Sequence, residues 1–254
     1  MMECDVLSRH YCLDAIPLHL ELRDALRDTH DRLAGRGVEL YLMGGVAASL
    51  LAHDAWPARE RPLSRDLDFL VPGDDATRGI IEEEYGGAFR VHAGKAVFKS
   101  YKLQTSAPNG VELDFIASSN IVHDDGGLSS TVTPTVCRLA QREELLGVPV
   151  LTLPPALVAL QKLYAGRGRD LGKYDLCDAQ ALLRSGCVDP DLFALFLREA
   201  FPAGLQSLAA ARMRSALLQL QPSPEVQALL PLLGTAPEEL RSSVAADIRS
   251  LTTT

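Results

Sequence analysis

Two aspartates separated by a single residue are the first chemistry this chain offers. In Ser64-Arg65-Asp66-Leu67-Asp68-Phe69-Leu70-Val71 acidic and apolar residues alternate as they do in a strand. Residues i and i+2 of a strand point to the same face, so Asp66 and Asp68 are expected to stand side by side. Adjacent carboxylates repel each other and resist desolvation unless a cation joins them. A ligand set made only of oxygens suits Mg²⁺ or Mn²⁺. The competing reading is a half-exposed edge strand on which two acids carry no chemistry. Two further features weigh against that reading. Val111-Glu112-Leu113-Asp114-Phe115-Ile116 has the pattern of a second strand, with Asp114 as the expected third carboxylate and Glu112, on the same face by parity, as its competitor. Gly44-Gly45 falls between a strand and a helix, where glycine lets the backbone approach a ligand and the helix N-terminus attracts phosphate. Alone, such a pair is more often only a tight turn. Ser64, two residues before Asp66, is placed to hydrogen-bond a phosphate.

The elements that must position these residues follow from periodicity. Leu18, Leu22, Ala25, Leu26 and Leu33 predict a helix over 17–33 that Gly35 and Gly37 stop. Val38 to Met43 predicts a strand, Val46 to His53 a helix, and Asp66 to Val71 a strand. Asp74-Asp75 predicts the cap of a helix over 76–85. Strands are expected at 89–92, 96–103 and 111–117, with Pro108-Asn109-Gly110 as a turn. The fold class expected is α/β (α+β), with a mixed-sheet domain over residues 1–150. Past Pro149 the chain turns Leu- and Ala-rich at helical spacing, which predicts an all-helical domain over 151–254. Helices are expected from Pro154-Pro155 to Ala165, from Leu171 to Leu183, from Asp189-Pro190 onward, and through to Leu251.

Composition bounds the function classes. The chain has 254 residues, enough for a substantial core, and a formal net charge of −8, which argues against nonspecific coating of nucleic acid. The longest apolar runs are too short to cross a bilayer, and Met1 to Leu13 lacks the apolar core of a signal peptide, so the expected location is cytoplasmic. Cys4, Cys12, Cys137, Cys177 and Cys187 form no CxxC pair, and reduced thiols are expected. His53, His92 and His123 have no ligand spacing. No Gly-x-Ser-x-Gly elbow and no P-loop occurs.

Taken in order, these motifs resemble the nucleotidyltransferase superfamily that includes DNA polymerase β. Leu42-Met43-Gly44-Gly45-Val46-Ala47-Ala48, followed by Arg61-Pro62-Leu63-Ser64-Arg65-Asp66-Leu67-Asp68, is similar to the AbiEii/AbiGii toxin-type branch. Here the Arg61-to-Ser64 spacing is one residue longer than in that branch, and Arg65 is the alternative basic residue. Gln161-Lys162-Leu163-Tyr164-Ala165, Arg167, Arg169 and Lys173-Tyr174-Asp175-Leu176-Cys177-Asp178 resemble its downstream segment. The resemblance spans roughly residues 38 to 184. It implies transfer of a nucleoside monophosphate from an NTP to an acceptor hydroxyl. Asp66, Asp68 and Asp114 would bind Mg²⁺ (or Mn²⁺), and Asp114 would also help deprotonate the acceptor. Gly44, Gly45, Ser64, Arg65, Lys162 and Asp178 would hold the nucleotide, with Lys162 meeting its phosphates. The acceptor implied is an RNA (tRNA) 3′ end, with an antitoxin protein as partner. The alternatives are a small molecule such as an antibiotic, which the acidic balance favours, or an inactive nucleotide-binding relative acting through protein partners. No membrane association is expected.

Overall fold

The computed structural model describes residues 16–52, 55–57, 60–93, 98–123, 133–145, 147–201 and 206–234. Cys4, Cys12, His53 and the helical expectation for 235–251 lie outside the described residues, as do the side chains of His92 and His123. The elements run α1 (Ile16–Ala34), β1 (Tyr41–Met43), α2 (Gly44–Ala52), β2 (Asp66–Val71), α3 (Asp75–Tyr85), β3 (Arg90–Ala93), β4 (Phe98–Ser106) and β5 (Glu112–His123). They continue through α4 (Pro134–Leu139), β6 (Gln141–Leu145), β7 (Val148–Thr152), α5 (Pro155–Ala165), α6 (Asp175–Arg184), α7 (Pro190–Ala200), α8 (Gln206–Leu217) and α9 (Pro224–Leu229). The fold is α/β. One seven-stranded mixed sheet has the order β3-β4-β5-β2-β1-β7-β6. No helix among the described residues is long and apolar enough to cross a membrane.

Strand parity divides the core. Leu67, Phe69 and Val71 of β2, with Leu113, Phe115 and Ala117 of β5, face a cluster that includes Leu22 and Leu26 of α1 and Ile81 of α3. Phe69 and Phe115 stack there at 5.6 Å between ring centroids. The other parity, Leu70 and Ile116, joins a cluster with Leu51 of α2, Leu157 and Leu160 of α5, and Phe193 of α7. Asp66, Asp68 and Asp114 share this second parity. They sit at the strand ends where the apolar cluster stops. Residue 150, the expected division of the chain, falls inside β7, which pairs in parallel with β1. The second apolar cluster is continuous from Tyr41 in the sheet to Leu233 beyond α9.

Three local differences from the sequence expectations have physical causes. The helix after β1 begins at Gly44 rather than Val46, because Gly44 at φ +73° makes the reversal in one residue and leaves no loop. The single helix expected over 171–183 is a 3₁₀ turn at Arg169–Leu171, a left-handed Gly172 at φ +64°, and then α6 from Asp175. The polar stretch Gln141-Arg142-Glu143-Glu144-Leu145 gave no strand signal, yet it forms the sheet edge β6. A charged edge is how sheets discourage further strand pairing.

Phe115 is fully buried and stacked on Phe69, so Phe115→Ala should cost about 3–5 kcal/mol. Chemical denaturation should show it as a lowered midpoint with an unchanged slope.

Candidate active site

The acidic cluster is a product of register. β2 and β5 pair in parallel, with Asp66 opposite Glu112 and Asp68 opposite Asp114. β1 runs antiparallel to β2 and ends with Met43 opposite Asp68, so Gly44 lies beside the Asp68 carboxylate. A Cβ on Gly44 would overlap Asp68 Oδ2. At Gly45 a Cβ would come within 2.6 Å of Arg61 Nη2 and 3.0 Å of Ser64 Oγ. Both glycines are thus required by close approach, Gly44 by its backbone angle as well. Ser64 donates to Asp66 Oδ1. Arg65 is exposed at the start of β2. Glu112, at the sheet end, is exposed, whereas Asp114 is buried beside Asp68.

The opposite wall comes from α5 and α6. Lys162, in the last turn of α5, places Nζ 2.7 Å from Asp178 Oδ2 and 3.2 Å from Asp175 Oδ1. Asp175 and Asp178 share one face of α6 and lie in its first turn, where the helix dipole favours negative charge. Arg167 Nε reaches Asp175 Oδ2 at 2.5 Å. Arg61 completes the set from the sheet side. Its Nε is 2.9 Å from Asp178 Oδ1, and its guanidinium lies over Trp56 at 5.3 Å and Tyr174 at 4.6 Å. Asp178 is fully buried, with both carboxylate oxygens paired. An ammonium has three donors, and the two acids of α6 engage two of those on Lys162.

Between the walls lies a cleft of about 530 Å³, lined by Gly45, Ser64, Asp66, Asp68, Lys162 and Asp175, with Arg65, Arg167 and Lys173 also on its lining. Lys102 was absent from the sequence expectations. It is half-way along β4, and its Nζ lies 2.8 Å from Asp114 Oδ2. A lone lysine in an alternating strand carries no signal of that pairing.

The charges are coupled. Burial, then the charges of Asp66 and Asp114, push the Asp68 carboxyl up to about 8, with Lys162 and Lys102 opposing the shift. Burial would lower Lys162, but Asp178, Asp175 and Asp68 outweigh it and hold the ammonium above its ordinary value. Burial would raise Asp175, but Lys162 and Arg167 overcome it and hold the carboxyl low. Asp68 is therefore the carboxylate whose charge is least compensated.

Among the described residues, no three acids, histidines or cysteines already form a ready-made coordination sphere. Part of Asp114 and of Asp66 is engaged by Lys102 and Ser64. The residues nonetheless suit a hard divalent cation. The donors are all oxygens, Asp114 Oδ1 is buried without a hydrogen-bond partner, and Asp68 is under like-charge repulsion.

No protein-family model matches the chain, and no curated protein is significantly similar to it. Solved structures do resemble it. An antigenic nucleotidyltransferase-like protein from Paracoccidioides brasiliensis is 16% identical, with 82% of this chain and 93% of that one covered and a TM-score of 0.41. ANT(2″)-Ia, solved in complex with adenylyl-2″-tobramycin, is 15% identical over 77% of this chain and 96% of its own, also at 0.41. A Thermotoga maritima protein described as a candidate nucleotidyltransferase is 17% identical over 57% of this chain and 81% of its own, at 0.40. At these identities the likeness assigns no residue a role.

Two measurements check the site. Gly37 and Gly44 both have left-handed backbones, but a Cβ on Gly37 meets nothing within 4 Å. Gly37→Ala should cost about 1–2 kcal/mol of backbone strain, whereas Gly44→Ala should cost more because it also displaces Asp68. Equal losses in thermal denaturation would show that the Gly44–Asp68 approach is not tight. The second test uses pH. Asp68 titrates near 8 when folded against an ordinary 3.8. Its contribution to stability is therefore present in full below about pH 4 and is lost as pH rises through about 8. In metal-free buffer Asp68→Asn should raise the melting temperature at pH 9, and the gain should shrink toward pH 4. A gain that does not change with pH would contradict the assigned repulsion.

Proposed function

We propose that this chain is a divalent-metal-dependent nucleotidyltransferase that moves a nucleoside monophosphate from an NTP to an acceptor hydroxyl and releases pyrophosphate. The observation that carries this reading is the placement of Asp66, Asp68 and Asp114 on one sheet face, across a cleft from the cationic Lys162. The cleft lies between the sheet and the helices that follow β7, and its volume of about 530 Å³ falls within the range of small-molecule sites.

Asp66, Asp68 and Asp114 would hold Mg²⁺ or Mn²⁺, which when bound supplies positive charge against the phosphate oxygens. The remaining steps belong to the chain's own groups. Gly44 and Gly45 open α2 with backbone close to the acids, so the N–H groups of its first turn can receive phosphate oxygens. Ser64 offers a hydroxyl on the same side, and Arg65 an exposed guanidinium. Lys162 presents its ammonium from the opposite wall, oriented by Asp175 and Asp178, and Asp178 is itself anchored by Arg61. Asp114, beside Asp68 on the same sheet face, would help to take the proton of the acceptor hydroxyl. As the acceptor's hydroxyl oxygen bonds to the α-phosphorus, the bond from that phosphorus to the α–β bridging oxygen breaks, and pyrophosphate leaves carrying the bridging oxygen.

For the acceptor, the toxin-type resemblance around Gly44-Gly45 and Asp66-Leu67-Asp68 points to an RNA 3′ end, with an antitoxin as partner. Arg65, Arg167 and Lys173 on the cleft lining support a polyanionic acceptor. The net charge of −8 favours the second reading, a small hydroxylated molecule such as an antibiotic.

The test is incubation with each labelled NTP and Mg²⁺, in the presence of total RNA or a panel of aminoglycosides, followed by separation of labelled RNA from labelled small molecules. One NTP should transfer label to one acceptor class. Asp68→Asn should reduce transfer by about 100-fold or more, and Lys162→Ala by about 10- to 1,000-fold. Lys162→Arg should restore part of the rate, because its charge is spread over a planar fork. Absence of transfer together with absence of any Mg²⁺-dependent thermal shift on adding NTP would remove this reading.

A further inference from the structure

We propose that Lys102 is a built-in cation of the carboxylate cluster, filling its Asp114 end so that the protein without nucleotide takes up one divalent ion rather than two. The proposal rests on the assignment of Asp66, Asp68 and Asp114 as the metal site.

The placement is built into the sheet. In the β4–β5 ladder, Gln104 stands opposite Asp114 and Lys102 opposite Ile116. Lys102 is therefore two residues from Gln104 on the same face, within diagonal reach of Asp114. The register is unbroken from Lys102 to Ser106, and the irregularity between Ser100 and Lys102 lies on the other side of the lysine from Asp114. The resulting pair is 2.8 Å long, with side-chain exposures of 12% for Lys102 and 11% for Asp114. A lysine this enclosed would be costly to hold without its carboxylate.

The cluster is asymmetric as a result. At one end Asp114 Oδ2 is taken by Lys102, while the buried Asp114 Oδ1 has no partner and is held in a fixed direction. At the other end Asp66 accepts only from the neutral Ser64 hydroxyl, and Asp68 has no ion pair among the described residues. Asp66 and Asp68, neither of them paired with a cation among the described residues, would hold a first divalent ion without displacing a charged group. A second ion at Asp114 would meet the Lys102 ammonium at short range, where like charges oppose each other strongly in a partly dry site. Lys102 thus acts as a positioning residue for Asp114 and as a substitute for one metal ion.

Mn²⁺ titration of the purified full chain without nucleotide, followed by electron paramagnetic resonance of the free ion, reads the stoichiometry directly. Wild type and Lys102→Arg should each bind one Mn²⁺ per chain, and Lys102→Met should bind two, with circular dichroism verifying its fold. Two ions on the wild type would overturn the proposal, and that result stands even if Lys102→Met does not fold. A folded Lys102→Met that still binds one ion overturns it as well, while leaving the metal site itself intact. Asp68→Asn separates the two claims. It should lose the wild-type ion, and uptake equal to wild type would instead remove the metal-site assignment on which the proposal depends. A wild type that binds no Mn²⁺ overturns both.

Discussion

Repulsion between carboxylates that share a partly dry cleft is the constraint to which the rest of this structure answers. Asp66, Asp68, Asp114, Asp175 and Asp178 converge from β2, β5 and α6. In contact with them stand Lys102, Lys162, Arg61 and Arg167. The four bases pair with Asp114, Asp175 and Asp178, so Asp66 and Asp68 are left without a cation partner among the described residues, and the repulsion raises the Asp68 carboxyl. Buried ion pairs contribute little net stability when complete and cost several kcal/mol when one member is removed. Such a cluster is therefore poor scaffolding. It gives the protein a place where a further cation is welcome.

The two halves of the chain are joined by this network as well as by the apolar cluster that runs from Tyr41 to Leu233. Arg61 lies on the sheet side, and its guanidinium spans Trp56, Tyr174 and the fully buried Asp178 of α6. Asp178 in turn fixes Lys162 of α5. A carboxylate that could read as a direct nucleotide contact thus has both oxygens engaged by cations, and its physical effect is to orient the lysine that faces the acids of β2. Arg61, whose spacing departs from the toxin-type pattern by one residue, is committed to that anchor. The exposed guanidinium at the cleft is that of Arg65.

Close approach is the second physical theme. Gly44 brings the start of α2 so near to β2 that no side chain fits between it and Asp68. Gly45 does the same for Arg61 and Ser64. The positive end of a helix is thereby set against the most strained carboxylate of the cluster. The same arrangement leaves backbone N–H groups available to a phosphate.

Local pattern alone determined a good part of this. Alternation in Asp66–Val71 fixed the strand and the common face of its two acids, because side-chain direction in a strand depends only on parity. Asp74 and Asp189 as helix caps, and Pro155 and Pro190 in first turns, were legible for the same reason: their effects act within one turn of chain. Whatever depended on register between distant segments was not legible. The choice between Glu112 and Asp114 as the acid beside Asp68 required the parallel pairing of β2 with β5. The pairing of Lys102 with Asp114 required the β4–β5 ladder, and the engagement of Asp178 by Arg61 required the packing of α6 against the sheet side. The polar strand β6 was hidden as well, since its pairing with β7 sets it against local propensity. Sequence thus determined which side chains exist to do chemistry and which face each strand gives them. Only the tertiary structure decided which charges meet, because electrostatic partners are chosen by distance in space and not by separation along the chain.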